Sequence, residues 1–191
     1  MIKAIIFDCF GVLTTDGWLP FKRKYFRNNP ALEAEATSLN KQVDAGLASY
    51  EEFESSIARL ASVSLAEAHK AIESNVPDDE LFEYIGSELK PNYKIGMLSN
   101  AGANWLGRLF LPEQVALFDA VALSYEMGFV KPDPRAYLSI AARLGVEPSE
   151  CIFVDDQQRY CTAAIEQGMQ AILYSSSEQL KDELAPLLPK A

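Results

Sequence analysis

Five short, unbroken apolar runs punctuate this chain, and the residues just after them are unusually polar. AIIF (4–7) stops at Asp8, KIGML (94–98) at Ser99-Asn100, and CIFV (151–154) at Asp155-Asp156. AVALS (120–124) leads into EMGFVKPDP, which carries Lys131, and QAILY (170–174) is the fifth run. Runs this short and largely apolar predict strands buried on both faces. Between the later runs the period becomes helical, over Pro134–Leu144 and Gln157–Gln167, and Gly145 and Gly168 come next as helix-ending residues. Strands alternating with helices predict an α/β fold, a doubly wound parallel sheet with helices on both faces.

The interval between the first two runs breaks this rhythm. Residues 14–93 hold no comparable apolar run but several helical patterns. SYEE (Ser49–Glu52) and SLAE (Ser64–Glu67) read as capping boxes, a Ser with Glu three residues on. DDELFEYIGSELK returns to the sheet. The predicted organisation is an α/β core of residues 1–13 and 77–191, with a small helical cap domain, 14–76, inserted after the first strand.

Composition narrows the function. Net charge is −10, from 27 acidic against 17 basic residues, with no Lys/Arg run to hold a polyanion, so nucleic acid and anionic membrane are not expected partners. No apolar stretch approaches the ~20 residues of a membrane span. The N-terminus MIKAIIFD lacks the features of a signal peptide, and a cytoplasmic location is expected. Cys9, Cys151 and Cys161 have no metal-ligand spacing and read as reduced, buried thiols. Cys9 should point away from Asp8, into the core.

In open parallel sheets ligands bind where strands end. Asp8, Ser99, Asn100, Lys131, Asp155 and Asp156 should therefore meet in one crevice. Crowded carboxylates require a cation, and an all-oxygen donor set suits Mg²⁺. Asp8 can attack phosphorus to form an acyl phosphate, a hydroxyl and backbone N–H groups can hold phosphate oxygens, and Lys131 can neutralise developing charge. Neither a cysteine phosphatase nor a receiver domain fits. The position six after Cys9 is Thr15 and six after Cys151 is Gln157, where the former needs Arg. A receiver places its acidic pair after the first strand and its acceptor Asp later, the reverse of the order here.

The motifs IIFDCFGVL, IGMLSNA, GFVKPDPRAY and CIFVDDQ, with VDAGLASYEEF in the helical segment, resemble those of the haloacid dehalogenase-like hydrolase superfamily across essentially the whole chain. The closest flavour is the subgroup with the epoxide hydrolase N-terminal phosphatase domain and small sugar-phosphate phosphatases. The resemblance implies a Rossmannoid core and a Mg²⁺-dependent phosphatase acting on a small phosphate monoester or other small acid. It makes Asp8 the nucleophile and Lys131 the charge-stabilising lysine. Ser99 becomes the phosphate-binding hydroxyl, and Asn100 helps to hold the phosphate. The metal set it implies is Asp8, the Phe10 carbonyl, Asp156 and, beside it or through water, Asp155.

One position departs from the pattern. Most phosphatases of the family carry a second Asp two residues after the nucleophile, which protonates the leaving alcohol and activates water; here Phe10 stands there. Loss of a positioned acid–base costs about 10²–10⁴ in rate. Two alternatives arise: a 2-haloacid dehalogenase, whose relatives place Tyr there and need no proton on the leaving halide, or a non-catalytic binder of phosphorylated ligands. The pair Asp155-Asp156 favours the phosphatase, since adjacent carboxylates beside Asp8 repel without a cation. Substrate selection is expected from the helical segment, with Asp16, Trp18, Lys22 and Tyr25 as candidates; Arg159 and Tyr160 follow the acidic pair closely enough to reach substrate, but capping and packing are the commoner roles for residues so placed. His69, the only histidine, is expected to be solvated.

Overall fold

The computed structural model describes residues 1–188. The strands are β1 (Ala4–Phe7), β2 (Lys94–Ser99), β3 (Ala120–Leu123), β4 (Cys151–Asp155) and β5 (Gln170–Leu173). They form one parallel sheet in the order β3-β2-β1-β4-β5. The chain works outward from β1 to β3 and then crosses back to β4. The order therefore reverses beside β1, and the crevice that this reversal opens lies at the ends of β1 and β4.

Side-chain alternation feeds two cores. Ile5, Phe7, Ile95, Met97, Ile152 and Val154 pack on one face; Ala4, Ile6, Leu98 and Phe153 pack on the other. Both faces being covered explains the unbroken runs of β1 and β4, whereas the edge strands β3 and β5 are only partly buried, Gln170 and Leu173 of β5 being exposed. Cys9 is buried in the first core, as expected, and Cys151 in the second.

Four helices lie between β1 and the return to the sheet: α1 (Trp18–Phe26), α2 (Pro30–Asp44), α3 (Tyr50–Ala61) and α4 (Leu65–Ile72). They enclose a separate apolar cluster built on Phe21, Phe26, Val43, Phe53 and Ile57. Ser49 and Glu52 form both halves of a capping box at α3, whereas Ser64 at α4 accepts the Glu67 N–H without the reciprocal bond among the described residues. The two connections to the sheet are stitched together. Thr15 N–H donates to Val76 O at 3.0 Å, and Gly17 N–H to Asn75 Oδ1 at 2.8 Å. After the insert come α5 (Asp79–Tyr84), which runs on into a π turn at Ile85–Leu89, then α6 (Leu106–Leu109), α7 (Pro112–Val115), α8 (Ser124–Met127), α9 (Pro134–Leu144), α10 (Gln158–Glu166) and α11 (Ser177–Leu184). The far end of α2 presses on the core. A Cβ on Gly102 would lie 2.5 Å from Val43 Cγ2, and one on Gly46, whose φ is +71°, would lie 2.8 Å from Tyr125 O. No helix among the described residues is long and apolar enough to cross a membrane.

Candidate active site

Asp8 leaves β1 as the strand ends, its N–H donating to Val154 O of β4 at 2.8 Å. The chain then turns sharply, and Cys9 N–H donates to Asp8 Oδ1 at 2.7 Å, fixing the carboxylate. Lys131 Nζ reaches the same oxygen at 2.8 Å and Asp155 Oδ2 at 2.6 Å. All three side chains are buried, and the rings of Tyr160 and Phe153 close over the ammonium at 4.9 and 5.3 Å. Burial opposes the charge on Lys131, but Asp8 and Asp155 outweigh it and hold its pKa well above the usual value. Burial pushes the Asp8 carboxyl up, with Lys131 pulling against it and Asp155 adding to it.

Asp156 completes an acidic triplet. Oxygens of Asp8, Asp155 and Asp156 lie within 4.8 Å of one another. The three carboxylates face one ammonium, which leaves a net charge of about −2 to be matched. Asp155 is saturated, by Lys131 and by the Gln157 N–H at 2.8 Å. Asp156 is not: its Oδ1 is buried without a hydrogen-bond partner among the described residues. Burial first, and then Asp155, raise its pKa to about 6. Gly11, at φ +89°, admits this carboxylate, since a Cβ there would lie 2.5 Å from Asp156 Oδ2. An orphaned oxygen, an all-carboxylate donor set and unmatched negative charge together fit a hard divalent cation such as Mg²⁺.

The remaining predicted residues fall into distinct settings. Asn100 grips the backbone of Lys131 from both ends of its amide: Lys131 N–H donates to Oδ1 at 2.7 Å, and Nδ2 donates to Lys131 O at 3.1 Å. Ser99 is buried at the end of β2, where its hydroxyl makes only a 3.5 Å contact with Asn100 O. A cavity of about 630 Å³ opens between the strand ends and the insert, bordered by Asp8, Phe10, Asn100 and Lys131 on one side and by Asp16, Trp18, Lys22 and Asp44 on the other. Phe10 is half-buried, its ring edge-on to Trp105 at 5.0 Å. Trp105 in turn meets Tyr50 of α3 at 5.2 Å, so an aromatic wall runs from the core to the insert.

Asp16, Trp18 and Lys22 line the cavity as expected; Arg159 and Tyr160, for which capping or packing is the commoner expectation, line it too. Tyr25 does not: its ring packs on Phe21 and its hydroxyl donates to Glu67 Oε1 at 2.7 Å. Seven residues beyond Trp18, it shares that residue's face of α1 but lies two turns, about 10 Å, further along, beside α4 and away from the cavity. His69 is exposed but not free, with Nδ1 2.6 Å from Glu54 Oε1. Sequence reasoning passed over Asp44, Tyr50 and Trp105. The first two stand within VDAGLASYEEF and the third a few residues past β2, and helical or loop periodicity marks none of them as facing a cavity.

A model of the haloacid dehalogenase-like hydrolases matches residues 2–168. The chain belongs to that family. It is therefore a hydrolase. Flavin mononucleotide hydrolase 1 of Arabidopsis thaliana is 42% identical over 57 residues, 30% of this chain and 23% of that one. Phosphatase MT3486 of Mycobacterium tuberculosis is 38% identical over 91 residues, 47% of this chain and 42% of that one. The chain thus spans less than half the length of either relative. Among solved structures, a HAD-like family hydrolase from Porphyromonas gingivalis superposes over 100% of both chains with a TM-score of 0.77 at 26% identity.

Proposed function

We propose that this hydrolase is a Mg²⁺-dependent phosphatase of small phosphate monoesters that works through an aspartyl phosphate on Asp8. The observation that carries the reading is the shared ammonium of Lys131 between Asp8 and Asp155, beside the unpartnered oxygen of Asp156. Asp8, Asp156 and the Phe10 carbonyl would hold the metal, with Asp155 behind them. Bound there, Mg²⁺ supplies positive charge that keeps Asp8 ionised and offsets the charge of the transferring phosphoryl group.

The protein's own groups do the rest. Asp8 attacks phosphorus while the ester P–O bond breaks, leaving an acyl phosphate that water hydrolyses. Lys131 holds Asp8 in line and neutralises equatorial oxygens as charge develops. Asn100 acts as a positioning residue, because both ends of its amide hold Lys131. The Ser99 hydroxyl, which has only a long contact to give up, turns to a phosphate oxygen. The helical insert, residues 14–76, is the cap that supplies most of the wall met by the rest of the substrate. The phosphatase relatives support this reading over dehalogenation, as does the third carboxylate, Asp156, which a metal-free halide displacement has no use for. The test is hydrolysis of 4-nitrophenyl phosphate with Mg²⁺ and with EDTA. Activity in Mg²⁺ and none in EDTA supports the reading; equal rates contradict the metal site.

A further inference from the structure

The groups at the strand ends can attack, bind or neutralise, but none is free to give a proton to a leaving alkoxide. The position two residues after Asp8 is a phenyl ring, and Lys131 is bridged between two carboxylates. The opposite wall of the cavity does hold acids, Asp16, Asp44 and Glu73, all contributed by the insert. Glu73 faces cations, its Oε2 3.6 Å from Arg108 Nη1 and 3.7 Å from His69 Nε2. Asp16 has a structural task, since its Oδ1 accepts the N–H groups of Trp18 and Leu19 at 2.7 and 3.3 Å and so caps α1. Asp44 has no such task. It is the last residue of α2, where a negative charge faces the unfavourable end of the helix dipole. Its described hydrogen bond comes from Asn40 Nδ2 to Oδ2 at 2.8 Å; among the described residues Oδ1 accepts none and no cation pairs with it.

The backbone holds Asp44 against the core from both sides. Val43, before it, fills the space left by Gly102, and Gly46, just after it, rests on Tyr125 O. Asp44 borders the same cavity as Asp8 and Lys131, so its carboxyl faces the reacting end across that space. Burial raises its pKa to about 7, with Asn40 and Lys131 pulling down and Asp16 pushing up. A carboxyl with that pKa is present at neutral pH both as an acid and as a base.

We propose that Asp44 is the general acid–base of this hydrolase, supplied across the cavity by the insert in place of the side chain that Phe10 displaces. The proposal rests on the phosphatase reading of the same site. In the first step Asp8 bonds to phosphorus, the P–O bond to the alcohol breaks, and the Asp44 carboxyl gives its proton to the departing oxygen, leaving an Asp44 carboxylate and a free alcohol. In the second, that carboxylate takes a proton from water as the water oxygen bonds to phosphorus. The P–O bond to Asp8 breaks, inorganic phosphate leaves, and both carboxyl groups return to their starting states.

The test compares the parent with Asp44→Asn on 4-nitrophenyl, phenyl and 4-methoxyphenyl phosphates, which match in shape and differ in leaving-group acidity. 4-Nitrophenolate leaves without a proton; the other two gain from one. The first turnover is tracked by rapid mixing in Mg²⁺, after melting curves show the variant folded. Asp44→Asn should slow that turnover by about 10²–10⁴-fold on phenyl and 4-methoxyphenyl phosphate, but less than about tenfold on 4-nitrophenyl phosphate. With the last substrate it should show a burst and then a slowed steady state, because the second step loses its base. Asp44→Glu should restore part of the phenyl phosphate rate. An equal loss on all three esters, or no loss on any, overturns the role of Asp44 and leaves the phosphatase reading standing. A parent inactive on all three in Mg²⁺ overturns the phosphatase reading itself and this role with it.

Discussion

Replacing Lys131 with Met keeps the length of the side chain and removes its charge from the most enclosed position in the site. The ammonium lies 2.8 Å from Asp8 and 2.6 Å from Asp155. At an effective dielectric constant of about 20, each contact corresponds to roughly 6 kcal/mol of attraction. Burying the ammonium costs several kcal/mol, which Met does not incur, and part of the gain is cancelled. The variant should still lose about 3–5 kcal/mol, because two buried carboxylates remain without their shared partner. For a chain of 191 residues that corresponds to a fall in Tm of roughly 6–20 °C. The sign with pH is fixed by Asp8. Burial and Asp155 raise its folded pKa, and Lys131 opposes them, so removing Lys131 raises it further. In the parent Asp8 is already raised to about 8, so both folded proteins hold its proton at lower pH, and the deficit of the variant relative to the parent grows only as pH rises through about 8 and beyond. Melting of both proteins in EDTA at about pH 7 and about pH 9.5 measures this. A variant within a degree or two of the parent at the higher pH, or a gap that narrows from the lower pH to the higher, refutes the electrostatic account of the site.

Other consequences can be measured separately. Mg²⁺ should raise the Tm of the parent, since a ligand of the folded state alone stabilises it. Asp156→Asn should abolish that rise while melting higher than the parent in EDTA at pH 8. The pKa of Asp156 is raised to about 6, so its charge destabilises the metal-free fold increasingly from about pH 4 to 6, by about 1–3 kcal/mol in full. Gly11→Ala should cost at least about 1–2 kcal/mol for its φ of +89° and also blunt the Mg²⁺ shift, because the new methyl displaces Asp156; an unchanged shift would show that Oδ2 of Asp156 can move freely. His69→Gln should destabilise by a few tenths of a kcal/mol at pH 6 and by less at pH 8. The bond to Glu54 raises the His69 pKa, so the stability it contributes is present below about pH 6.5 and fades as pH rises through the folded value; exposure keeps it small.

The sheet was legible because a parallel strand buried on both faces leaves an apolar run with abrupt ends, and the residues at those ends are placed by topology alone. Asp8, Lys131, Asp155 and Asp156 needed nothing more to converge. The features beyond the reach of such reasoning depend on side-chain direction and on how the insert packs. Asn100 comes after β2 at the expected strand end, yet its amide turns to the Lys131 backbone, a contact between residues 31 apart in sequence. Tyr25 shares a face of α1 with Trp18 but lies two turns further on, against α4, and sequence alone does not say where along the helix the cavity ends. Asp44 reads in sequence as one more acid on a polar helix. Only the approach of Val43 and Gly46 to the core brings it to the cavity.

Whether Asp8 becomes phosphorylated during turnover decides the proposed mechanism most directly. Protein mixed with 4-nitrophenyl phosphate and Mg²⁺, acid-quenched within the first turnover and digested, can be read by mass spectrometry. One phosphoryl group is expected on the peptide carrying Asp8, absent from the EDTA control and from Asp8→Asn, which should also release no nitrophenol. Turnover that continues in a folded Asp8→Asn variant, or a phosphoryl group found on another residue, contradicts the mechanism.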